Sequence, residues 1–421
     1  VTHHTSAALP SPTRERAPQP FVQLGDPVFE GSPGVRYDFN YGARVKVSGA
    51  GWRVRLLDRD AGVVLYDEAV ADALVTSTKR YFVNFRIEVF RYGELVFEHD
   101  YDARGKKVYA RLPESTIGDA IAWFPWVDEF RKKHQCEMHL SMGEWLWDLF
   151  ADAYPDLHFV KPAEEDIEGA AFYATYFIAL FYPSSDRTHQ PADFRLTGLQ
   201  GAAAGLLGLP ARECRPRVGI RDRTRRIAEP YVCIAAQASS QAKYWNNSRG
   251  WADTVAFLKA QGYRVLCIDR DAQSPVAREG SHSPHGAEDF TGNLPLQERA
   301  SLLLHADFFV GLSSGLAWLA WAVGTPVVMI SGFTHPLNEF PSPYRVINYH
   351  TCNSCWNDMR VEFDQRDFQW CPYHRGTPRQ FECTRLITSA QVIGAIKRLI
   401  EDSSATGLTS STPSAVVCAS A

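Results

Sequence analysis

The sequence predicts an α/β protein in which two Rossmann-like domains face each other across a cleft, preceded by a smaller antiparallel β domain. Three observations predict it. Apolar residues over 35–112 recur with a period of two, as strands with one buried face require. From about residue 107, short apolar strands alternate with helical patterns in two successive series, joined by a polar, charged connector at 210–226. The second series culminates in ADFFVGLSSGLAWLAWAVGTPVVMIS, residues 306–331: a strand, a small-residue turn, an apolar helix and another buried strand. In such sheets ligands sit beyond the carboxyl ends of the strands, so the strand-to-helix turns are where chemistry is sought.

The elements follow in order. Residues 1–34, rich in Pro, Ser, Ala and Gly, read as a flexible arm. The β domain, 35–112, shows strands at 44–47, 52–57, 63–66 and around 81–90, with turns at Asp60-Ala61-Gly62 and Tyr92-Gly93-Glu94. The first Rossmann-like domain, 113–226, reads as helix 120–133, strand 137–141, helix 144–153, strand 157–160, a strand within 171–182, and helix 194–208. The second, 227–401, opens with strand 231–236 and continues with helix 251–261, strand 264–269 and helix 296–305, and closes with helix 389–400. The tail, 402–421, is rich in Ser, Thr and Ala and reads as disordered.

Bulk properties exclude some functions. A formal charge of −4 over 421 residues gives no broad basic surface, so nucleic acid is not expected as a partner. Aromatic residues make up 12%, including 11 Trp, a supply suited to interfaces and sugar-binding surfaces. No apolar run is long enough for a membrane span; the run 170–182 reads as core. The first twenty residues lack the apolar centre of a secretory signal, and a cytoplasmic location is expected. Nine cysteines, an odd number, agree with the absence of a disulfide framework.

Five stretches carry candidate chemistry. Asp119 follows a glycine in STIGDA, where it either caps the following helix or accepts a proton from an attacking hydroxyl. Lys243 lies in QASSQAKYWN, after the first strand of the second domain, and reads as a solvated lysine or as the neutraliser of a diphosphate. Ser313, Ser314, Gly315 and Leu316 form the small-residue turn at a helix start, where free N–H groups and the helix dipole attract phosphate. Asn338 and Glu339, after the last buried strand of that unit, are candidates for bonding sugar hydroxyls. Finally, Cys352-x2-Cys355, Cys371 and Cys383 within 350–385 have the number and spacing of a tetrahedral thiolate site, for which ligand chemistry alone suggests zinc; a redox dithiol leaves two of the four unexplained.

Taken together, IGDAIAW, ASSQAKYWNN, GLSSGLAWLAWAVGTPVVMISGF and the four-cysteine insertion resemble, in the same order, the bacterial autotransporter heptosyltransferases, relatives of the lipopolysaccharide heptosyltransferases. The resemblance covers about 35–400. It implies a GT-B glycosyltransferase with an N-terminal β-barrel and a metal finger. The implied reaction moves heptose from ADP-heptose to serine hydroxyls of an autotransporter adhesin passenger in the cytoplasm, with inversion. Asp119 matches the family's base, Lys243 its diphosphate-holding lysine, and Ser313 to Leu316 its donors to the departing ADP. The resemblance also implies iron, rather than zinc, at the four cysteines, and a dodecamer built from dimers. Two alternatives stand beside it: transfer to a lipopolysaccharide core, and a non-catalytic, metal-stabilised binding module.

Overall fold

The computed structural model describes residues 24–113, 116–161, 172–182, 188–272 and 282–405. The expected arm lies outside these up to residue 23, as do Ser115 and the tail from residue 406. Within the first 113 residues run β1 (Phe29–Glu30), β2 (Val35–Asn40), β3 (Arg44–Val47), β4 (Trp52–Asp58), β5 (Val63–Val70), β6 (Ala73–Thr76), β7 (Phe85–Arg91), β8 (Glu94–Asp100) and β9 (Lys107–Arg111). Then come α1 (Ile117–His134), β10 (Glu137–Ser141), α2 (Trp147–Phe150), β11 (Leu157–Val160), β12 (Ala174–Phe177) and α3 (Phe194–Leu206). After the connector follow β13 (Tyr231–Ala235), α4 (Gly250–Ala260), β14 (Arg264–Cys267), β15 (Glu288–Asp289), α5 (Leu296–Leu304), β16 (Phe309–Leu312), α6 (Gly315–Val323), β17 (Val327–Ile330), β18 (Tyr344–Val346), α7 (Glu382–Arg385) and α8 (Ser389–Ala405).

The second half is a six-stranded sheet in the order β15-β14-β13-β16-β17-β18, and every pairing is parallel. Every residue of β13, β16 and β17 is buried, as strands covered on both faces must be. In the first half the parallel strands run β11-β10-β9-β12.

The N-terminal strands depart from the expected barrel. Among the described residues no pairing closes them on themselves. Strands β5-β4-β7-β8 form a four-stranded antiparallel sheet, whereas β2, β3 and β6 continue the first Rossmann-like sheet beyond β12. The join is parallel, Ala174 opposite Phe39 and Thr175 opposite Asn40. Side chains reinforce it: Asn40 Nδ2 donates to the Phe172 carbonyl at 3.1 Å, and Thr175 Oγ1 donates to Asn40 Oδ1 at 2.7 Å. Next to it Arg44 grips Asp38 through two 2.7 Å bonds, a buried pair whose hydrogen bonds compensate for lost water. The two sheets pack through rings, with Phe39 against Phe85 at 6.1 Å and against Tyr101 at 5.0 Å, and Tyr173, next to β12 of Phe39's own sheet, adds a contact at 5.0 Å.

Three smaller expectations also change. The segment read as an arm contains β1, which pairs antiparallel with β2. Helix α8 extends through Ala405, into what reads as tail. Cys214 is disulfide-bonded, against the expectation of no disulfide. No helix among the described residues is long and apolar enough to cross a membrane.

Candidate active site

Two helix N-termini, one from each half, meet across the cleft. Strand β9 leads into α1, whose N-cap Thr116 has an extended backbone (φ −134°) and whose first turn carries Asp119. Strand β16 leads into α6, N-capped by Ser314 and stopped at Gly324, which adopts the left-handed conformation (φ +92°). The two starts touch at glycines. A Cβ on Gly118 would lie 3.0 Å from the Trp318 ring and 3.5 Å from the Gly315 Cα; one on Gly315 would lie 2.7 Å from the Ile117 Cβ. Glycine here serves close approach. Both positive helix ends, with first-turn N–H groups that lack intrahelical acceptors, thus face one place.

Asp119 and Lys243 bring opposite charges to that place from different halves. Asp119 Oδ2 accepts a 2.8 Å bond from Thr116 Oγ1. Burial raises its pKa above the usual aspartate value, and the Thr116 hydrogen bond and the Lys243 charge pull it back. Burial lowers the Lys243 pKa, offset by Asp119 and Glu339. Each residue keeps an intermediate share of exposed surface, yet desolvation is the largest influence on both, so the charged ends sit in the walled part of the crevice. Lys243 Nζ lies 5.9 Å from the centre of the Phe333 ring and makes no hydrogen bond or ion pair with another described residue. Its turn, Gln241–Lys243, is N-capped by Ser240, whose hydroxyl accepts from the Ala242 N–H. Asn246 braces the same turn, donating to the Gln241 and Tyr244 carbonyls and to Thr384 Oγ1.

The other candidates divide into those facing the crevice and those behind it. Ser314 Oγ is buried with no hydrogen-bond partner among the described residues, at the start of α6. Ser313 lies behind: its hydroxyl donates to Glu339 and accepts from Thr334 Oγ1 at 3.0 Å. The Glu339 side chain is 1% exposed and ion-paired to Arg345 at 2.8 Å. Its carboxylate is committed to bracing Ser313 and is not presented to a sugar. Asn338 Oδ1 is taken by Trp356 Nε1 at 3.0 Å. Sequence reasoning missed Thr116 and Arg345; the signal for Arg345 is a charge within the short strand β18, next to a buried sheet. It also gave no role to Asp269, which accepts from the Ala236 and Gln237 N–H groups at 2.8 and 3.2 Å and so fixes the start of the Lys243 loop.

The four cysteines of the insertion are free and half-buried. Burial raises the Cys355 and Cys383 thiols, the latter to about 12, and the charges of the other cysteines act on each of them. The four are therefore neighbours. No set of three or more metal-ligating side chains stands ready to hold an ion among the described residues as they lie. The donor set itself, four sulfurs of which those of Cys355 and Cys371 pack against an aromatic cluster of Phe333, Trp356, Phe363, Trp370 and Phe381, suits a soft cation. That cluster includes Ala242, so the insertion packs directly behind Lys243.

A separate cavity of about 410 Å³, lined by Asp148, Arg221, Tyr231, Phe290 and Arg299 among others, contains none of these residues. Its charges are internally matched, Arg221 pairing with Asp148 and Asp152.

Residues 31–93 match the family profile described as glycosyltransferase TibC, N-terminal domain, and residues 195–365 match glycosyltransferase family 9 (heptosyltransferase). The autotransporter heptosyltransferase Aah of Escherichia coli is 49% identical over 375 residues, 89% of this chain and 95% of the relative. BimC of Burkholderia thailandensis, described as an inactive autotransporter heptosyltransferase, is 42% identical over 373 residues, 89% of this chain and 88% of the relative. The crystal structure of the iron-containing dodecameric glycosyltransferase TibC from enterotoxigenic E. coli H10407 superposes with a TM-score of 0.86 at 47% identity, covering 90% of this chain and all of that one. TibC in complex with ADP-D-beta-D-heptose gives a TM-score of 0.87 at 46% identity, covering 91% of this chain and all of that one.

Proposed function

Because the chain belongs to the autotransporter heptosyltransferase family, we propose that it transfers heptose from ADP-heptose to serine hydroxyls of an autotransporter adhesin passenger, in the cytoplasm and with inversion. Asp119 takes the proton of the acceptor serine while that oxygen attacks the anomeric carbon from the face opposite ADP. The bond from the sugar to the diphosphate breaks, and ADP leaves with the electron pair. Lys243, the Ser314 hydroxyl and the α6 N-terminus receive the charge that builds on the diphosphate. Ser313 and Glu339 hold that turn in place, and Asn338 anchors the loop beside it.

The observation that carries this reading is the meeting of the two helix starts at Gly118 and Gly315, with Asp119 and Lys243 within each other's electrostatic reach. Family membership alone does not carry it, since the relative BimC is described as inactive. The test is intact-mass spectrometry of a competent passenger fragment incubated with ADP-heptose. Heptose-sized additions with the native protein and not with Asp119→Asn support the reading; no addition with the native protein overturns it.

Cys352, Cys355, Cys371 and Cys383 would hold the metal, with iron favoured because TibC is described as iron-containing. Bound there, the ion supplies a cross-link beneath the Lys243 turn and no chemical step. Cys355→Ser is expected to lose the metal, read by elemental analysis, and to melt at lower temperature; full metal content in that variant removes the assignment. A dodecamer like that described for TibC is the assembly expected, read by light scattering.

A further inference from the structure

Asn357, two residues after Cys355, divides its carboxamide between the two halves of the molecule. Its Nδ2 donates to the Arg195 carbonyl at 2.9 Å, at the start of α3 in the first half. Its Oδ1 accepts from the His335 N–H at 2.9 Å, in the loop that follows β17 in the second half. Arg195 reinforces the same seam. It is 3% exposed and holds its N-cap neighbour Asp193 through bonds of 2.9 and 2.8 Å. Its remaining nitrogen reaches into the cysteine insertion, to the carbonyls of Asp358 at 3.3 Å and Val361 at 3.0 Å. Trp356 adds a ring contact with Phe194 at 5.7 Å. At the break in α3, Gly198 takes φ +69°, and a Cβ there would lie 2.0 Å from the Leu337 carbonyl. α3 is thus pressed onto the loop that holds Asn338 and Glu339.

We infer that Asn357, backed by Arg195, is a positioning residue for the transfer: a latch that sets the half carrying Asp119 against the half carrying Lys243 and Ser314. The inference rests on the cleft being the transfer site. The proton acceptor and the diphosphate site belong to different halves, so their separation depends on how this seam is held. The donor subsite is built from the second half alone, so loosening the seam spares donor binding and costs alignment. Misplacement of reacting groups by about 1 Å can cost on the order of 100-fold in rate.

Arg195→Ala removes the guanidinium that neutralises the buried Asp193 and risks the fold, so the test uses Asn357→Asp in the full chain. Aspartate keeps the acceptor for the His335 N–H and cannot donate to the Arg195 carbonyl, severing only the arm that crosses the cleft. The expected result is a kcat reduced roughly 10–100-fold, with the KM for ADP-heptose and calorimetric ADP affinity within about twofold of native. Metal content is unchanged, and amide exchange is faster at 194–198 and 333–339. A native kcat, or a KM that rises in step with the loss of kcat, overturns the latch. If the native protein transfers nothing to a competent passenger, the proposed function fails by itself. Amide exchange then still decides the latch: acceleration on both sides of the seam with ADP affinity kept supports it, and unchanged exchange overturns it.

Discussion

The two rims of the cleft are built to different standards. On the donor side the polar side chains around the phosphate turn are tied to a second layer: Ser313 to Glu339, Glu339 to Arg345, and the Lys243 turn to Asn246 and the cysteine insertion. On the acceptor side Asp119 has one side-chain bond, from Thr116, itself exposed at the helix start. The difference teaches a division of labour. A preorganised donor site stabilises charge as it develops, because its dipoles need no rearrangement when ADP departs. For the base proposed at Asp119, burial raises the proton affinity above that of an exposed aspartate, and the Thr116 bond and the Lys243 charge limit the rise.

Three experiments sharpen or break that contrast. Asp119→Asn should reduce transfer by about 10²–10⁴-fold and leave ADP affinity intact; a loss below tenfold in single-turnover rate would mean that the acceptor rim holds no base. Lys243→Met should cost roughly 10²–10³-fold and also move the pH profile. Lys243 lowers the Asp119 pKa, so its removal raises that pKa, and the base is protonated at higher pH than before. The acid limb of kcat should therefore shift upward in pH; an unmoved limb would break the pairing of the two rims. Ser313→Ala should have the smallest effect, about 1–3 kcal/mol of stability from a buried carboxylate oxygen left without its donor, read by chemical denaturation. A loss of ADP affinity much larger than the loss of stability would put Ser313 on the ligand and not behind it.

Much of the fold was legible because periodicity is a local signal. The strands expected at 137–141 and 157–160 are β10 and β11 at those bounds, and the strand, turn and helix around residue 313 are β16 and α6. The helix expected over 144–153 is broken into two 3-10 turns around the single turn of α2. Partnership was not legible. β2 falls within the stretch 35–112 read as period two, though not among the strands named there, and its parallel partner β12 is about 135 residues away, with nothing local to announce it. The site divides the same way. Spacing alone gathered the four cysteines, whose thiols act electrostatically on one another, while among the described residues no set of three or more ligands stands ready to hold an ion. Glu339 reads as a candidate for bonding sugar hydroxyls because a sequence does not reveal that a carboxylate already has Arg345 and Ser313 as partners. The mutual approach of Asp119 and Lys243 depends on how two halves dock, and only coordinates express that.

The join between β2 and β12 also sets a timetable. A ribosome delivers the N-terminal strands well before residues 174–177, so the end of β2 at Phe39 and Asn40, beyond its pairing with β1, emerges with N–H and C=O groups waiting for a partner not yet made. Until then that end of β2, a strand whose six residues include only one exposed side chain, is open to pairing with another nascent chain. Truncating the gene after residue 113 would make that interval permanent, and the fragment would be expected to aggregate where the whole chain does not. A module synthesised early is among the last to be completed.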